Sequence, residues 1–233
     1  MKLDLTKMRF KEKNLFLPKK IDEQLAEEIG LHIGDGTMNF YKNKNSIMGS
    51  YALRGHRFDD RSHYDNVISK LYKEVYDLTP RLRDMPSTSV YGFQKWSNEL
   101  VDFKNRVIGL PLGKKLNIEI PNLFLANKDY YVSVMRGIFD TDGMIYLEPK
   151  YSKLYPRVEI CTISKPLADK MFFLINKLSI RATNYSYERN EKNCHTVHKI
   201  SVRGNEMLDK WMKIINPHNP KHWDKYQYFI NNS

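Results

Sequence analysis

Apolar positions recur at helical spacing ahead of two glycine- and aspartate-bearing segments, and the same order of periods follows each. In the first half, Leu25, Ala26, Ile29, Gly30, Ile33 and Gly34 make one stripe of a helix that Asp22 can cap and that runs to about Gly36. Strand-like sequence follows over 46–56. After Asp59 and Asp60, helical spacing returns at Tyr64, Val67, Ile68, Leu71 and Val75. Residues 88–94 alternate as a strand, and Ser97 can cap a third helix that Gly109 and Pro111 stop.

The second half repeats this order. A helix is predicted over 130–143 and strands through 157–163. A helix opened by Ser164-Lys-Pro166 buries Leu167, Met171, Leu174 and Leu178, with proline at a first-turn position that needs no N–H partner. Strands over 182–187 and 197–203 and a last helix over 204–215 complete it. Residues 117–129 lack periodicity and contain Pro121. The predicted organisation is therefore a basic lead-in (1–20), a first repeat (21–116), a linker (117–129) and a second repeat (130–233), each repeat α-β-β-α-β-β-α and the whole α+β.

The repeat is also one of residues. Gly30-Leu-His-Ile-Gly-Asp-Gly36 and Gly137-Ile-Phe-Asp-Thr-Asp-Gly143 share their first and last glycines, a small residue at the fifth position and the last aspartate, and Asp35 and Asp142 are 107 positions apart. The same offset aligns Asn98-Glu99-Leu100 with Asn205-Glu206-Met207, and Ile68, Lys70 and Leu71 with Ile175, Lys177 and Leu178, without a gap. Two copies indicate a duplicated domain, not a solenoid, and a site near a pseudo-twofold axis with one acid from each half.

Charge narrows the partner. Thirty-eight Lys and Arg against 27 Asp and Glu leave +11 on 233 residues, which favours a polyanion. The 15 tyrosines can stack or hydrogen-bond on a nucleic acid. Cys161 and Cys194 lack metal-type spacing and suit a reducing compartment. The N-terminal residues lack the apolar core of a signal peptide, and no apolar run approaches the ~20 residues of a membrane span. An intracellular location, cytoplasmic or organellar, is expected, with no membrane partner.

Gly30 and Gly34, and Gly137 and Thr141, lie one helical turn apart, so small residues on one face let two backbones approach closely. Such a crossing brings Asp35 and Asp142 together. Adjacent carboxylates repel unless a cation lies between them, and hard oxygen ligands suit Mg²⁺, with Mn²⁺ as a substitute. Water bound to such a metal is a nucleophile for a phosphodiester.

These two segments, with the apolar helices before them, resemble the signature motifs of the LAGLIDADG homing endonucleases. The second copy is the closer match, and Ile33 stands where the family often has its first aspartate. The order of elements over about residues 21–225 is similar to single-chain, two-repeat members, and Leu53-Arg-Gly-His-Arg-Phe-Asp-Asp60 and Asn219-Pro-Lys-His222 resemble segments of archaeal ones. The resemblance implies saddle-shaped antiparallel sheets astride duplex DNA, with the motif helices packed at the centre. It implies Asp35 and Asp142 as metal ligands, helped by the carbonyls of Gly34 and Thr141, and cleavage of both strands across the minor groove to leave 3′ overhangs. It also implies basic or polar groups near the acids, for which Lys95, Arg203 and His56 are the candidates.

Groove reading needs long polar side chains alternating from a sheet. Candidates are Lys42, Lys44, Arg54 and Arg57 in the first half. In the second they are Lys150, Lys153, Arg157, Tyr185, Tyr187 and Arg189. The halves differ there, so a long asymmetric duplex site, bound by a monomer, is expected. Two other functions on the same scaffold are an RNA-binding maturase acting on intron RNA and a DNA-binding regulator that does not cut. Retention of both acids weighs against the regulator. An intein is not expected, since the sequence opens on Met and leaves no room for a splicing domain.

Overall fold

The computed structural model describes all residues except 11–14, 45, 151–152, 189–193 and 233. Helix α1 (Glu23–Asp35) begins where the Asp22 carboxylate accepts the Leu25 amide at 2.8 Å, and it runs straight into strand β1 (Gly36–Asn43). Strand β2 (Ser46–His56) pairs antiparallel with β1. Helix α2 (61–76) carries a π-helical turn at Tyr64–Ile68, and β3 (Arg83–Met85) and β4 (Val90–Trp96) form a hairpin. Helix α3 (98–108), capped by Ser97, ends on left-handed Gly109.

The second half reproduces this with α4 (Lys128–Asp142), β5 (Gly143–Lys150), β6 (Lys153–Thr162), α5 (Lys165–Lys177), β7 (Ala182–Tyr187), β8 (Val197–Arg203) and α6 (Asn205–Ile215). The sheets run β1-β2-β4-β3 and β5-β6-β8-β7. The fold is α+β, two repeated halves each with a four-stranded antiparallel sheet. No helix among the described residues is long and apolar enough to cross a membrane.

The 107-residue register extends to hydrogen-bonded partners. Gly36 faces Leu53 and Leu53 faces Phe93; Gly143 faces Ile160 and Ile160 faces Ile200. The helix ends at Gly109 and Asn216, also 107 apart, are both left-handed. The gapless spacing fails at one strand. Arg83 pairs with Gly92, but the equivalent Lys199 pairs with Tyr185, only 102 positions after Arg83. Compensating length changes flank the third strand of each half.

Two expected boundaries move. Strand β4 starts at Val90 because Pro86–Thr88 form a 3₁₀ turn, and β6 starts at Lys153, earlier than alternation suggests. A helix absent from the sequence reading, α7 (Pro220–Asn231), follows α6. It is started by Asn219, whose side chain accepts the Lys221 amide, and by proline in the first turn.

Residues paired directly across an antiparallel ladder share a face. Tyr51, Leu53 and Phe93 point to the helices and are buried, as are Val158, Ile160 and Ile200. The opposite faces are exposed at Tyr41 and Trp96 in the first half and at Met144, Tyr146, Tyr155, Tyr185 and Tyr187 in the second.

Candidate active site and nucleic-acid interface

Helices α1 and α4 cross at the centre with their backbones in contact. A Cβ on Gly30 would overlap the Val134 carbonyl, and one on Gly137 would overlap that of Glu27. Lower down, a Cβ on Gly34 would overlap the Thr141 hydroxyl and lie 3.4 Å from Oδ2 of Asp142. The Thr141 hydroxyl itself turns inward, donating to the Gly137 and Ile138 carbonyls at 3.0 and 2.9 Å. The crossing therefore sets Asp35 and Asp142 side by side at the feet of the two helices, where unpaired carbonyls favour cations.

Both carboxyls are pushed up. Burial raises Asp35 to about 7, and the charges of Asp142 and Asp60 add to it; the Tyr64 hydroxyl, donating at 3.2 Å, acts the other way. Burial also raises Asp142, against the pull of Lys115 and Lys221. Asp35 is half-buried and the Asp142 side chain reaches solvent. Water thus touches the acids from one side while protein surrounds them on the others. Two acids that resist ionisation together are suited to a divalent cation. Among the described residues, no three His, Cys, Asp or Glu side chains gather into a metal site of their own. A cation here would need carbonyl, water or phosphate oxygens beside the two carboxylates, as Mg²⁺ commonly does.

Two lysines that the sequence reading passed over flank the acids. The Lys115 ammonium donates to the carbonyls of Gly34 and, at 2.9 Å, Ile33, at the foot of α1. Burial lowers its pKa, opposed by Asp142 and Asp35. A carbonyl has two lone pairs, so Gly34 can serve both this lysine and a cation. Lys221, in the first turn of α7, lies on an open cleft of about 1060 Å³ that Asp35 and Asp142 also line, and it pairs with Asp60 at 2.8 Å. A smaller cavity of about 370 Å³ on the other side holds Lys115, Gly34 and Asp142. The 107-residue offset places Lys221 opposite Lys114, one residue from Lys115, and so marks the segment but not the Lys115 side chain.

The other expected residues are distributed as follows. His56 lines the larger cleft, its ring 3.0 Å from Asp59. Lys95 and Arg203 line neither cavity. Lys95 faces Tyr51 in the ladder and so lies on the helix side of its sheet. Arg203 pairs with Arg157 on the open face, three residues along the strand from Ile200, roughly 10 Å at strand spacing.

In the second half Lys150, Lys153, Arg157, Tyr185 and Tyr187 all fall on the open face. Arg189 lies outside the described residues. Tyr146, Tyr155 and Lys199 share that face and were not anticipated. Arg157 lies over the Tyr146 ring, 4.9 Å from its centroid, between Glu148 and Glu159, and Lys199 pairs with Glu159 at 2.9 Å. In the first half Arg54 is on the open face with Asn39, Ser50 and Gln94, whereas Lys42, opposite Ile47, has the helix-side parity. Lys44 sits in the β1–β2 turn, and Arg57, past the end of β2, pairs with Asp84 at 3.0 Å. The parity of a strand is set by its register, which residue type alone does not reveal.

Comparison with known proteins agrees with this geometry. Residues 129–216 match a family model described as a LAGLIDADG-like domain. Two curated relatives are both from Methanocaldococcus jannaschii. A glutamine–fructose-6-phosphate aminotransferase is 27% identical over 85% of this chain and 16% of its own length. A probable translation initiation factor IF-2 is 24% identical over 64% of this chain and 13% of its own. The chain thus spans about a sixth or less of the relatives it matches. Among solved structures, mesophilic variants of the homing endonuclease I-DmoI align at TM-score 0.58 and 15% identity, covering 84% of this chain and 97% of theirs. The LAGLIDADG meganuclease I-AabMI bound to uncleaved DNA aligns at 0.55 and 13%, over 91% and 90%. I-GzeII in complex with a DNA target aligns at 0.53 and 9%, over 88% and 87%. The fold is that of the LAGLIDADG meganucleases. The family match thus falls on the second half, while the likeness in fold to the two-repeat endonuclease structures spans most of the chain.

Proposed function

We propose that this protein is a site-specific double-strand DNA endonuclease that requires a divalent cation and leaves 3′ overhangs. The observation that carries this reading is the pair Asp35 and Asp142, one from each half, held together at a glycine crossing between two open polar sheet faces. Structures similar in fold are of DNA complexes with Ca, with Mn and in the presence of Mg.

Repeats 21–116 and 130–233, joined by 117–129, would each read one half-site, and the duplex would lie across both sheets with its minor groove over the acids. Asp35 and Asp142, with the carbonyls of Gly34 and Thr141, would hold Mg²⁺ or Mn²⁺, which when bound supplies an acidified water and screens the phosphate. Lys115 and Lys221 would stabilise negative charge growing on the phosphate and leaving oxygen, a larger effect in a partly water-excluded cleft than in solution. His56, on the cleft wall, would orient water. Arg157 and Arg54 would contact base edges, and Lys150 and Lys153 phosphates.

The two curated relatives are functionally unrelated, yet each shares a segment of this chain's kind within a much longer protein. A segment common to unrelated hosts is a transferable module, which supports a homing role. The test is cleavage of a library of random duplexes with Mg²⁺, Mn²⁺, Ca²⁺ or EDTA, followed by sequencing of the ends. A unique site cut with short 3′ extensions, dependent on metal, is expected; blunt or random ends, or none, would overturn the reading.

A further inference from the structure

Asp60 directly precedes helix α2, where an aspartate ordinarily turns its carboxylate onto the first-turn amides. It makes no such cap. Its carboxylate is instead used across the molecule. Oδ1 accepts from Lys221 Nζ at 2.8 Å and from Asn219 Nδ2 at 2.9 Å, and Oδ2 accepts the His56 amide at 2.7 Å. Both long-range donors come from the segment that opens α7, about 160 residues later and packed as part of the second half. Asp60 is only 4% exposed and Asn219 is fully buried.

That segment is anchored to the second half as well. Asp140, fully buried, accepts the amides of His218 and Asn219 at 2.9 and 3.1 Å. Asp60 is thus one of the first half's grips on a segment that Glu27 also holds, through His218 at 2.7 Å, and whose remaining grip is the second motif helix. Gly55 completes the arrangement. A Cβ there would lie 2.8 Å from Asp60 Oδ2 and 2.9 Å from Asp35 Oδ2, so the missing side chain makes room for the two carboxylates to stand close. A third acid beside a repelling pair is unfavourable on its own, and a lysine stem left free would sample many rotamers. Both costs are offset if the acid's task is to hold an ammonium at that spot.

We propose that Asp60 is a positioning residue that carries Lys221 of the second half to the paired acids Asp35 and Asp142, so that the cleft is completed only when both halves are docked. The kinetic part rests on the endonuclease reading; the structural part does not.

The test uses the full chain with Asp60→Asn, Asp60→Glu, Lys221→Met and the Asn/Met double variant. Without DNA, labelling by an amine-reactive ester is followed at Lys221 by mass spectrometry, with exposed Lys153 as internal reference. Asp60→Asn should raise Lys221 labelling several-fold, with Asp60→Glu in between. Single-turnover cleavage in Mg²⁺ should fall about 10- to 100-fold in Asp60→Asn, as when an orienting partner is lost, while DNA affinity in Ca²⁺ is unchanged. Asp60→Glu should recover part of the rate, and the double variant should be no slower than Lys221→Met. Equal labelling in wild type and Asp60→Asn overturns the proposal, as does a double variant slower than Lys221→Met by the full Asp60→Asn factor. If Asp60→Asn fails to fold, Asp60→Glu decides by the same two comparisons. If the wild type cuts no DNA, the endonuclease reading fails, and the labelling alone decides whether Asp60 holds Lys221.

Discussion

Gly30 and Gly137 meet at the centre of the α1–α4 crossing, where a Cβ on Gly30 would stand 3.0 Å from the Cα of Gly137. The nearest obstacles are backbone atoms of the opposite helix, which cannot swing aside as a side chain can. Overpacking of this kind costs ~1–3 kcal/mol or more. Gly30→Leu and Gly137→Leu should each lower the unfolding temperature of the whole chain in one transition. A variant that melts like wild type would show that the crossing can open, and the paired acids would lose their frame.

Asp35→Asn and Asp142→Asn keep size and remove charge beside the proposed phosphate path. Each should abolish double-strand cleavage while duplex binding, measured in Ca²⁺, is kept or slightly tightened. A double variant that cuts both strands at the wild-type rate would remove the metal mechanism.

The pH dependence of stability follows from the raised acid. Folding lifts Asp35 from 3.8 to about 7, so the folded chain keeps a proton that the unfolded chain releases. This contribution is fully present below 3.8 and is lost as pH rises through about 7. Asp140, raised by burial to about 7, acts in the same sense. His63 and His222, lowered by burial to about 4 and about 3, act oppositely, stabilising above 6.5 and losing that as pH falls. Comparison with Asp35→Asn isolates one group. In EDTA, melting curves between about pH 4 and pH 8 should show the difference moving in the variant's favour as pH rises, and Mg²⁺ should stabilise only the wild type at high pH. A constant difference would mean that Asp35 titrates normally.

Salt reports on the open faces. With about six to ten phosphate contacts, affinity should fall ~10³–10⁵-fold between 50 and 200 mM salt. Lys153→Ala should weaken target and random DNA alike and lower the salt slope by about one. Arg157→Ala should weaken only the target, by ~1–3 kcal/mol. Equal losses on both DNAs for Arg157→Ala would place it on phosphate.

In the first half the core encloses an ion pair, Lys104 with Glu28 at 2.5 Å, and Tyr72 and Tyr76 donate to the same carboxylate at 2.5 and 2.7 Å. Removing the cation strands a buried anion. Lys104→Met should cost about 3–5 kcal/mol in urea unfolding, and a near-neutral result would mean that the tyrosine hydroxyls alone satisfy the carboxylate.

The two motif helices, the Asp22 cap of the first, the opening of α5 at Ser164, and strands β2, β7 and β8 were legible because apolar period and cap chemistry are local properties of the chain. Asp35 and Asp142 were legible through duplication, which marks a position twice. The DNA-facing set was legible only in part. Lys42 has the right residue type, but strand register gives it the helix-side parity. Lys115 lay close to a segment read as connector, and Lys221 beyond the last predicted helix, in a region where periodicity is weak.

The sequence by itself determined the duplicated α-β-β-α-β-β-α order and the two acids, since hydrophobic period, glycine spacing and internal repetition are written along one dimension. The tertiary structure alone decided which groups surround those acids. Asp60, Lys115 and Lys221 reach them from segments far apart in the chain, and the link from Asp60 to Asn219 and Lys221 spans about 160 residues. No local pattern encodes such a contact; it exists only once the glycine crossing has closed the two halves on each other and α7 has docked between them.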